Sequence, residues 1–285
     1  MFKLLATQMI VPNVHLLTLE APEVASQVKP GQFVIVRAQE DGERIPLSVA
    51  DWDREKGTVS VVLLNVGVTT GRLASVQAGQ SIPTVVGPLG NPTQIENFGT
   101  VLCLAGCYGI GSIYPVARAL KEANNKVIMV MESRSSYLFF WEEKLKEVSD
   151  KFFQITRDGT KGYRGHVGRL LEIIQSCGEP INRIIINGCT FVMKRGSDIS
   201  RPLGIKTVVS LNPIMIDGTG MCGVCRLTVG STTKFACVDG PDFDGHQVDW
   251  AELLQRRKSY IDEEIVPLRT SRCEEHVLKS EDRRL

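Results

Sequence analysis

Between Asp217 and Cys225 the sequence reads Asp-Gly-Thr-Gly-Met-Cys-Gly-Val-Cys, and a third cysteine follows in Phe-Ala-Cys-Val-Asp-Gly-Pro at Cys237. Plant-type [2Fe-2S] centres draw their ligands from a C-x4-C-x2-C run and one distal cysteine. This string has that spacing, with Asp217 standing in the first cysteine position. The expected ligand set is therefore Asp217, Cys222, Cys225 and Cys237, three thiolates and one carboxylate. The interleaved glycines suit such a loop, because wrapping a cluster calls for residues with φ > 0 and backbone N–H groups turned toward sulfur. A tetrahedral zinc site, with Asp217 or His246 as fourth donor, is the competing reading, although the loop is more glycine-rich and less evenly spaced than a zinc ribbon.

Composition narrows the setting. A chain of 285 residues suits two domains, at roughly 100 to 200 residues each. With 33 basic and 32 acidic side chains it carries no electrostatic footprint for nucleic acid or an anionic membrane. The N-terminus has one positive charge and then turns polar, so it reads as a first strand and not as an export signal. No apolar stretch approaches the roughly 18 residues that span a bilayer. A cytoplasmic location is expected, and there thiols stay reduced, so the eight cysteines point to metal binding or burial and not to disulfides. Cys103 and Cys177 lie in or beside apolar runs and read as small buried hydrophobes. The four histidines, His15, His166, His246 and His276, form no ligand pair at helical spacing and read as packing or surface residues.

Three regions differ in pattern. Residues 1–98 contain short β-branched runs such as 14–19, 32–37 and 58–63 between Gly, Pro and Asp, which predicts a small antiparallel β-barrel. Residues 99–210 alternate buried-strand text (100–105, 126–131, 183–186) with amphipathic segments near 139–149 and 168–177, predicting a doubly wound α/β domain with a parallel sheet. In its first βα unit, Ile113, Val116, Ala117 and Leu120 share a helical face, with Pro115 expected in the first turn, where proline is tolerated. Residues 211–285 form the cysteine segment, a last helix near 249–257, and a charged tail from about 269 that is expected to be mobile or ordered by another subunit.

Motifs in the first two regions complete the picture. The barrel text holds Arg44-Ile45-Pro46-Leu47-Ser48, then Leu64-Asn65-Val66-Gly67-Val68-Thr69-Thr70-Gly71-Arg72-Leu73, then Gly87-Pro88-Leu89-Gly90. After the first strand of the second region comes Gly106-Cys107-Tyr108-Gly109-Ile110-Gly111, and further strands end in Glu132-Ser133-Arg134 and Asn187-Gly188-Cys189-Thr190-Phe191-Val192-Met193. Ligands of doubly wound sheets bind beyond the carboxyl ends of strands, where all three segments fall.

In this order the motifs resemble the ferredoxin-NADP reductase superfamily. Its R-x-x-S strand stacks on a flavin and its G-x-x-[ST]-x-x-L loop opens a helix at the pyrophosphate, a fit between amides and anion. The resemblance implies FAD at Arg44, Pro46, Leu47, Ser48, Leu64, Asn65, Val66, Gly67, Thr69 and Thr70, and NAD(H) at Gly109, Ile110, Gly111, Glu132, Arg134, Asn187, Gly188 and Met193. Arg44 departs from the pattern, standing four residues before Ser48 where the family has three. Asn187 takes the place of the family's cysteine beside the nicotinamide.

With the D-x4-C-x2-C-x11-C segment added, the whole chain resembles the small subunits of NADH-dependent ferredoxin:NADP oxidoreductases, with the electron-transfer subunits of dihydroorotate dehydrogenase and sulfide dehydrogenase as neighbours. The resemblance implies a heterodimer whose larger iron-sulfur flavoprotein subunit carries a second FAD, [4Fe-4S] clusters and the NADP site, meets ferredoxin, and takes part in flavin-based electron bifurcation. A stand-alone NAD(P)H-dependent reductase remains an alternative. Arg134 suits a 2′-phosphate and Glu132 a ribose hydroxyl; the resemblance implies NADH.

Overall fold

The computed structural model describes residues 1–259. The expected charged tail and His276 lie outside them. In chain order the first region comprises β1 (Phe2–Val11), β2 (Val14–Glu20), α1 (Pro22–Gln27), β3 (Phe33–Arg37), β4 (Arg44–Asp53), β5 (Thr58–Leu64), α2 (Val68–Ser75), β6 (Ser81–Ile82) and β7 (Thr84–Leu89). The second comprises β8 (Thr100–Gly106), α3 (Gly109–Glu122), β9 (Lys126–Ser133), α4 (Glu142–Glu147), β10 (Lys151–Thr156), β11 (Tyr163–Arg164), α5 (Leu170–Ser176), β12 (Arg183–Asn187), α6 (Thr190–Ser200) and β13 (Lys206–Ser210). The third comprises β14 (Arg226–Val229), β15 (Thr232–Phe235), β16 (Asp242–Asp244) and α7 (Trp250–Arg257).

The N-terminal strands pair antiparallel in the order β6-β1-β2-β5-β4-β3-β7. Only Pro83 separates β6 from β7, so the two edges of the sheet are brought together by the chain itself. Alternation along the strands turns Leu17, Leu19, Val59, Val61, Val34 and Val36 into one enclosed core.

The second sheet runs β11-β10-β9-β8-β12-β13-β16, parallel except for β16. Its strands read as continuous apolar runs because both faces are covered. Strand order reverses between β8 and β12, which makes their carboxyl ends the topological switch point. Cys103 and Cys177 are buried as expected. One expectation is corrected. Helix α3 begins at Gly109, directly on the turn, so Pro115 lies in its interior and not in its first turn. The Gly111 carbonyl therefore has no N–H from residue 115 to accept.

Helix α3 is the seam between the sheets. A Cβ added at Gly111 would stand 2.8 Å from Cγ2 of Val62 on β5, so the first turn fits against the barrel only without a side chain. Further along, Asp51 of β4 accepts from Arg118 of α3 at 3.1 Å and from Lys144 of α4 at 3.2 Å. The Arg118 guanidinium also lies over the Trp52 and Tyr114 rings.

Among the described residues the third region has no core of its own. Cys225, Leu227, Ala236, Cys237, Trp250 and Leu253 join the cluster that covers one face of the parallel sheet, together with Phe33 and Ile35 of the barrel. A further link runs from Thr93, whose hydroxyl donates to Asp242 Oδ2 at 2.6 Å. Burial pushes the Asp242 carboxyl up to about 6, and its Oδ1 has no partner among the described residues.

Two outcomes follow. Gly111→Ala should destabilise the chain by about 1 to 3 kcal/mol through overpacking. Combined with Val62→Ala it should cost less than the sum of the two single changes, as a denaturation double-mutant cycle would read. For Asp242 the folded state holds the proton more tightly than the unfolded chain does, so its contribution to stability falls as pH rises from 3.8 to about 6. Relative to wild type, Asp242→Asn should therefore gain stability across that window, measurable as the difference in melting temperature against pH.

Candidate functional site

A cleft of about 340 Å³ opens where the barrel meets the switch point. One wall comes from β4 (Ile45, Pro46, Leu47, Ser48), the end of β5 (Val62, Leu63, Leu64) and the start of the loop and helix beyond it (Val66, Thr70). The opposite wall is Tyr108, Ser112, Asn187 and Gly188, from the ends of β8 and β12 and the first turn of α3. Residues Ser210 to Pro213 and Met215 close the third side. Its size falls within the range of small-molecule sites, roughly 300 to 1,000 Å³.

The structure brings some sequence-predicted residues to this cleft and places others away from it. Pro46, Leu47, Ser48, Leu64, Val66, Thr70, Asn187 and Gly188 line it together. Arg44 is exposed at the start of β4, opposite Arg37. At α2, the Thr70 hydroxyl accepts from the Val66 and Gly67 amides at 3.0 and 2.9 Å, a local cap that shapes the helix entry. Thr69 is buried and donates to Glu43 Oε2 at 3.0 Å, and Asn65 stands at the exit of β5. Gly109, Ile110 and Gly111 are all buried in the first turn of α3. A Cβ at Gly109 would lie 2.2 Å from the Asn187 carbonyl oxygen, so glycine there lets the two strand ends close on each other. Met193 lies fully buried in the sheet core.

Two buried polar side chains end at the switch point with unused capacity. Asn187 Nδ2 donates to Ser112 Oγ at 3.0 Å, while its Oδ1 has no partner among the described residues. Glu132 accepts from Arg157 Nε at 3.4 Å through one oxygen, and the other is unpartnered among the described residues. Burial raises the Glu132 carboxyl above its ordinary value, with Arg157 opposing. Arg134, two residues on, is exposed. Buried polar atoms without partners are rare, and a ligand is a common reason for them.

The cysteine loop follows the cleft directly. Met215 lines the cleft, and Asp217 begins the loop two residues later, within about 7 Å of extended chain. Gly218, Gly220 and Gly223 have φ of 76°, 84° and 67°, as the sequence led one to expect. Cys225 and Cys237 are buried, with sulfurs 3.2 Å apart. Two sulfurs on one tetrahedral metal stand about 3.8 Å apart for metal-sulfur bonds of about 2.3 Å, so little movement separates this pair from metal-binding geometry. Burial, then contact with Cys225, pushes the Cys237 thiol up to about 12. Cys222 is exposed. The Asp217 carboxylate accepts from the Thr219 amide at 3.1 Å and the Cys222 amide at 2.8 Å. Burial would raise its pKa, but these donors outweigh it and hold it below the ordinary carboxylate range.

Among the described residues no three His, Cys, Asp or Glu side chains converge as a single ion requires. His246, the other candidate zinc donor, has its Nε2 2.9 Å from Ser200 Oγ. A dinuclear cluster, which divides four ligands between two irons, suits a buried thiol pair beside a separate Asp and Cys. Tyr108, Asn212 and Arg257 are cleft residues that sequence reasoning missed. Only Tyr108, inside the glycine turn, lay near a recognisable signal.

The antiparallel barrel, the doubly wound sheet and the cleft at its switch point define a ferredoxin-reductase-like protein extended by an iron-sulfur segment. A cytochrome P450 reductase from Amycolatopsis shares the fold, at a TM-score of 0.60 and 15% identity over 70% of this chain and 65% of that one. Residues 212–249 match the iron-sulfur cluster binding domain of dihydroorotate dehydrogenase B. The electron transfer subunit homolog of dihydroorotate dehydrogenase B (NAD(+)) from Thermotoga maritima is 44% identical over 246 residues, covering 86% of each chain. A chain of the NADH-dependent reduced ferredoxin-NADP oxidoreductase, solved to study flavin-based electron bifurcation, superimposes with a TM-score of 0.89. It is 42% identical, over 94% of this chain and 96% of that one. The chain belongs to this family of electron-transfer subunits.

The loop geometry makes one chemical expectation testable. In cluster-free native protein, Cys222 should be alkylated by iodoacetamide well before Cys225 and Cys237, as peptide mass mapping at pH 8 would show. Equal rates at all three would mean that the pair is not enclosed.

Proposed function

We propose that this chain is the NADH-facing electron-transfer subunit of a heterodimeric NADH-dependent ferredoxin:NADP oxidoreductase that works by flavin-based electron bifurcation. The observation that carries this reading is the continuity of cleft and cysteine loop: Leu211, Asn212, Pro213 and Met215 wall the cleft, and Asp217 opens the ligand loop. When bound, the nicotinamide exchanges a hydride with FAD, and the [2Fe-2S] cluster moves one electron at a time.

The chain's own residues supply position and environment. Pro46, Leu47, Ser48 and Leu64 give the flavin a mostly apolar wall, and beyond the turn that Asn65 and Gly67 shape, the first turn of α2 offers the Thr69 and Thr70 amides for the diphosphate. Arg44, exposed nearby, is assigned to the same diphosphate. Gly109, Ile110 and Gly111 shape the nicotinamide side, with Gly188 close behind and Met193 packing beneath it. Asn187 Oδ1 is an unused acceptor at that end, and Glu132 is another for a ribose hydroxyl, with Arg134 at its rim. The residues fit a cluster held by Cys225 and Cys237 on one side and by Asp217 and Cys222 on the other.

Ile216, Met221 and Val238 are exposed apolar side chains around Cys222, a surface suited to a larger iron-sulfur flavoprotein partner that passes electrons on to ferredoxin and NADP. We assign residues 1–98 to FAD, 99–210 to NAD(H) and 211–285 to the cluster. The described residues include no helix long and apolar enough to cross a membrane, and the thiol-rich ligand set suits the reducing cytoplasm.

Anaerobically purified protein should show flavin absorption and, on reduction, a rhombic [2Fe-2S] electron paramagnetic resonance signal. Cys237→Ser should abolish that signal. Asp217→Cys should keep it with an altered potential, and Asp217→Ala should weaken it. A colourless, zinc-loaded protein would exclude the reading. Isolation of an active monomer with no larger companion would exclude the heterodimer.

A further inference from the structure

Of the described side chains that line the cleft, Arg257 is the only one that carries a charge. It reaches the cleft from α7, far along the chain from every flavin or nucleotide motif. Its guanidinium hydrogen-bonds to Thr190 Oγ1 and, at 3.4 Å, to Asn212 Oδ1, both neutral acceptors. Among the described residues it has no carboxylate partner. Asn212 in turn donates to the Tyr108 hydroxyl, which donates to the Gly188 carbonyl at 3.4 Å. Burial pushes the Tyr108 phenol up to about 12, so the network around the guanidinium stays neutral. Arg226 and Arg256 bond the Gly223 and Val224 carbonyls and line only the adjoining recess, whereas Arg257 stands between that recess and the cleft and lines both.

A network of this kind holds one positive charge, uncompensated among the described residues, against a largely apolar, partly enclosed space. Oxidised flavin is neutral, and adding a hydride to it gives a reduced flavin with one more negative charge. A fixed cation in such surroundings favours the reduced form. Resting on the flavin reading above, we infer that Arg257 is the residue of this chain that tunes the flavin, raising its reduction potential and favouring the anionic reduced state. The Thr190–Asn212–Tyr108 network holds the guanidinium in place for that task.

The test uses the full-length chain with its partner and compares R257Q, R257K and K258Q, the last removing an exposed neighbouring charge. The readouts are the two-electron potential of this subunit's flavin and the pH at which its slope changes as reduced flavin ionises. R257Q should lower the potential and move the break to higher pH, while R257K and K258Q stay close to wild type. An R257Q protein with wild-type potential and break would overturn the inference, and so would equal shifts in K258Q. If R257Q binds flavin weakly, its affinity for reduced flavin should fall at least about tenfold more than for oxidised flavin. Equal losses would overturn it as well. A wild-type chain that holds no flavin would instead overturn the flavin reading on which this inference rests.

Discussion

The fit of α3 between two sheets is the constraint on which the rest of the molecule depends. Its apolar side, including Ile110, Ile113, Val116, Ala117 and Leu120, packs on the parallel sheet, while Gly111 meets Val62 of the barrel. Burying a large apolar side chain contributes about 1.5 to 3 kcal/mol. A partly exposed ion pair such as Asp51 with Arg118 or Lys144 contributes about 0 to 1 kcal/mol. Packing therefore decides how tightly the halves associate, and the bidentate use of Asp51 chiefly fixes their angle. Because the first turn of α3 also abuts the Asn187 carbonyl through Gly109, that angle sets the width of the cleft.

Asp217 shows how one residue type serves two requirements. A carboxylate is a harder donor than a thiolate, so in a cluster it is the ligand expected to part most readily from iron. It is also an acceptor that a cysteine could replace only poorly, and both of its oxygens receive backbone amides from the loop that it precedes. The loop is thus shaped by the same group that is assigned to bind metal, with the buried Cys225–Cys237 pair at one end and the exposed Cys222 at the other.

Much of this was legible in the residues. The strands of the barrel, the βα unit after Thr100 and the last helix near 249–257 announced themselves through period and punctuation, and the structure adds that Asp249 caps that helix by accepting from the Glu252 amide. The cysteine spacing marked out the segment that matches an iron-sulfur domain, and Cys103 and Cys177 were readable as buried. What escaped was whatever depends on two distant segments meeting. Pro115 was misplaced because the turn before α3 is shorter than its glycines suggest, a length set by close approach to Asn187. Gly109 and Gly111 resemble a nucleotide-binding signature, yet each has a packing partner, Asn187 and Val62, that no local pattern reveals. Asn212 and Arg257 reach the cleft from the third region, and no spacing rule connects them to it.

The shared core of the third region sets the modularity of the chain. Because Cys225, Cys237 and Trp250 help to cover a face of the parallel sheet, the cysteine hairpin is not a detachable cassette. Trimming the chain before it would take those side chains out of the cluster they share with the parallel sheet and with Phe33 and Ile35 of the barrel. Grafting the hairpin alone onto another reductase would leave its own buried thiols without walls. During synthesis the sheet is complete only after β16, which follows the cysteine hairpin, has been made, so the nucleotide half and the cluster loop reach their final packing together.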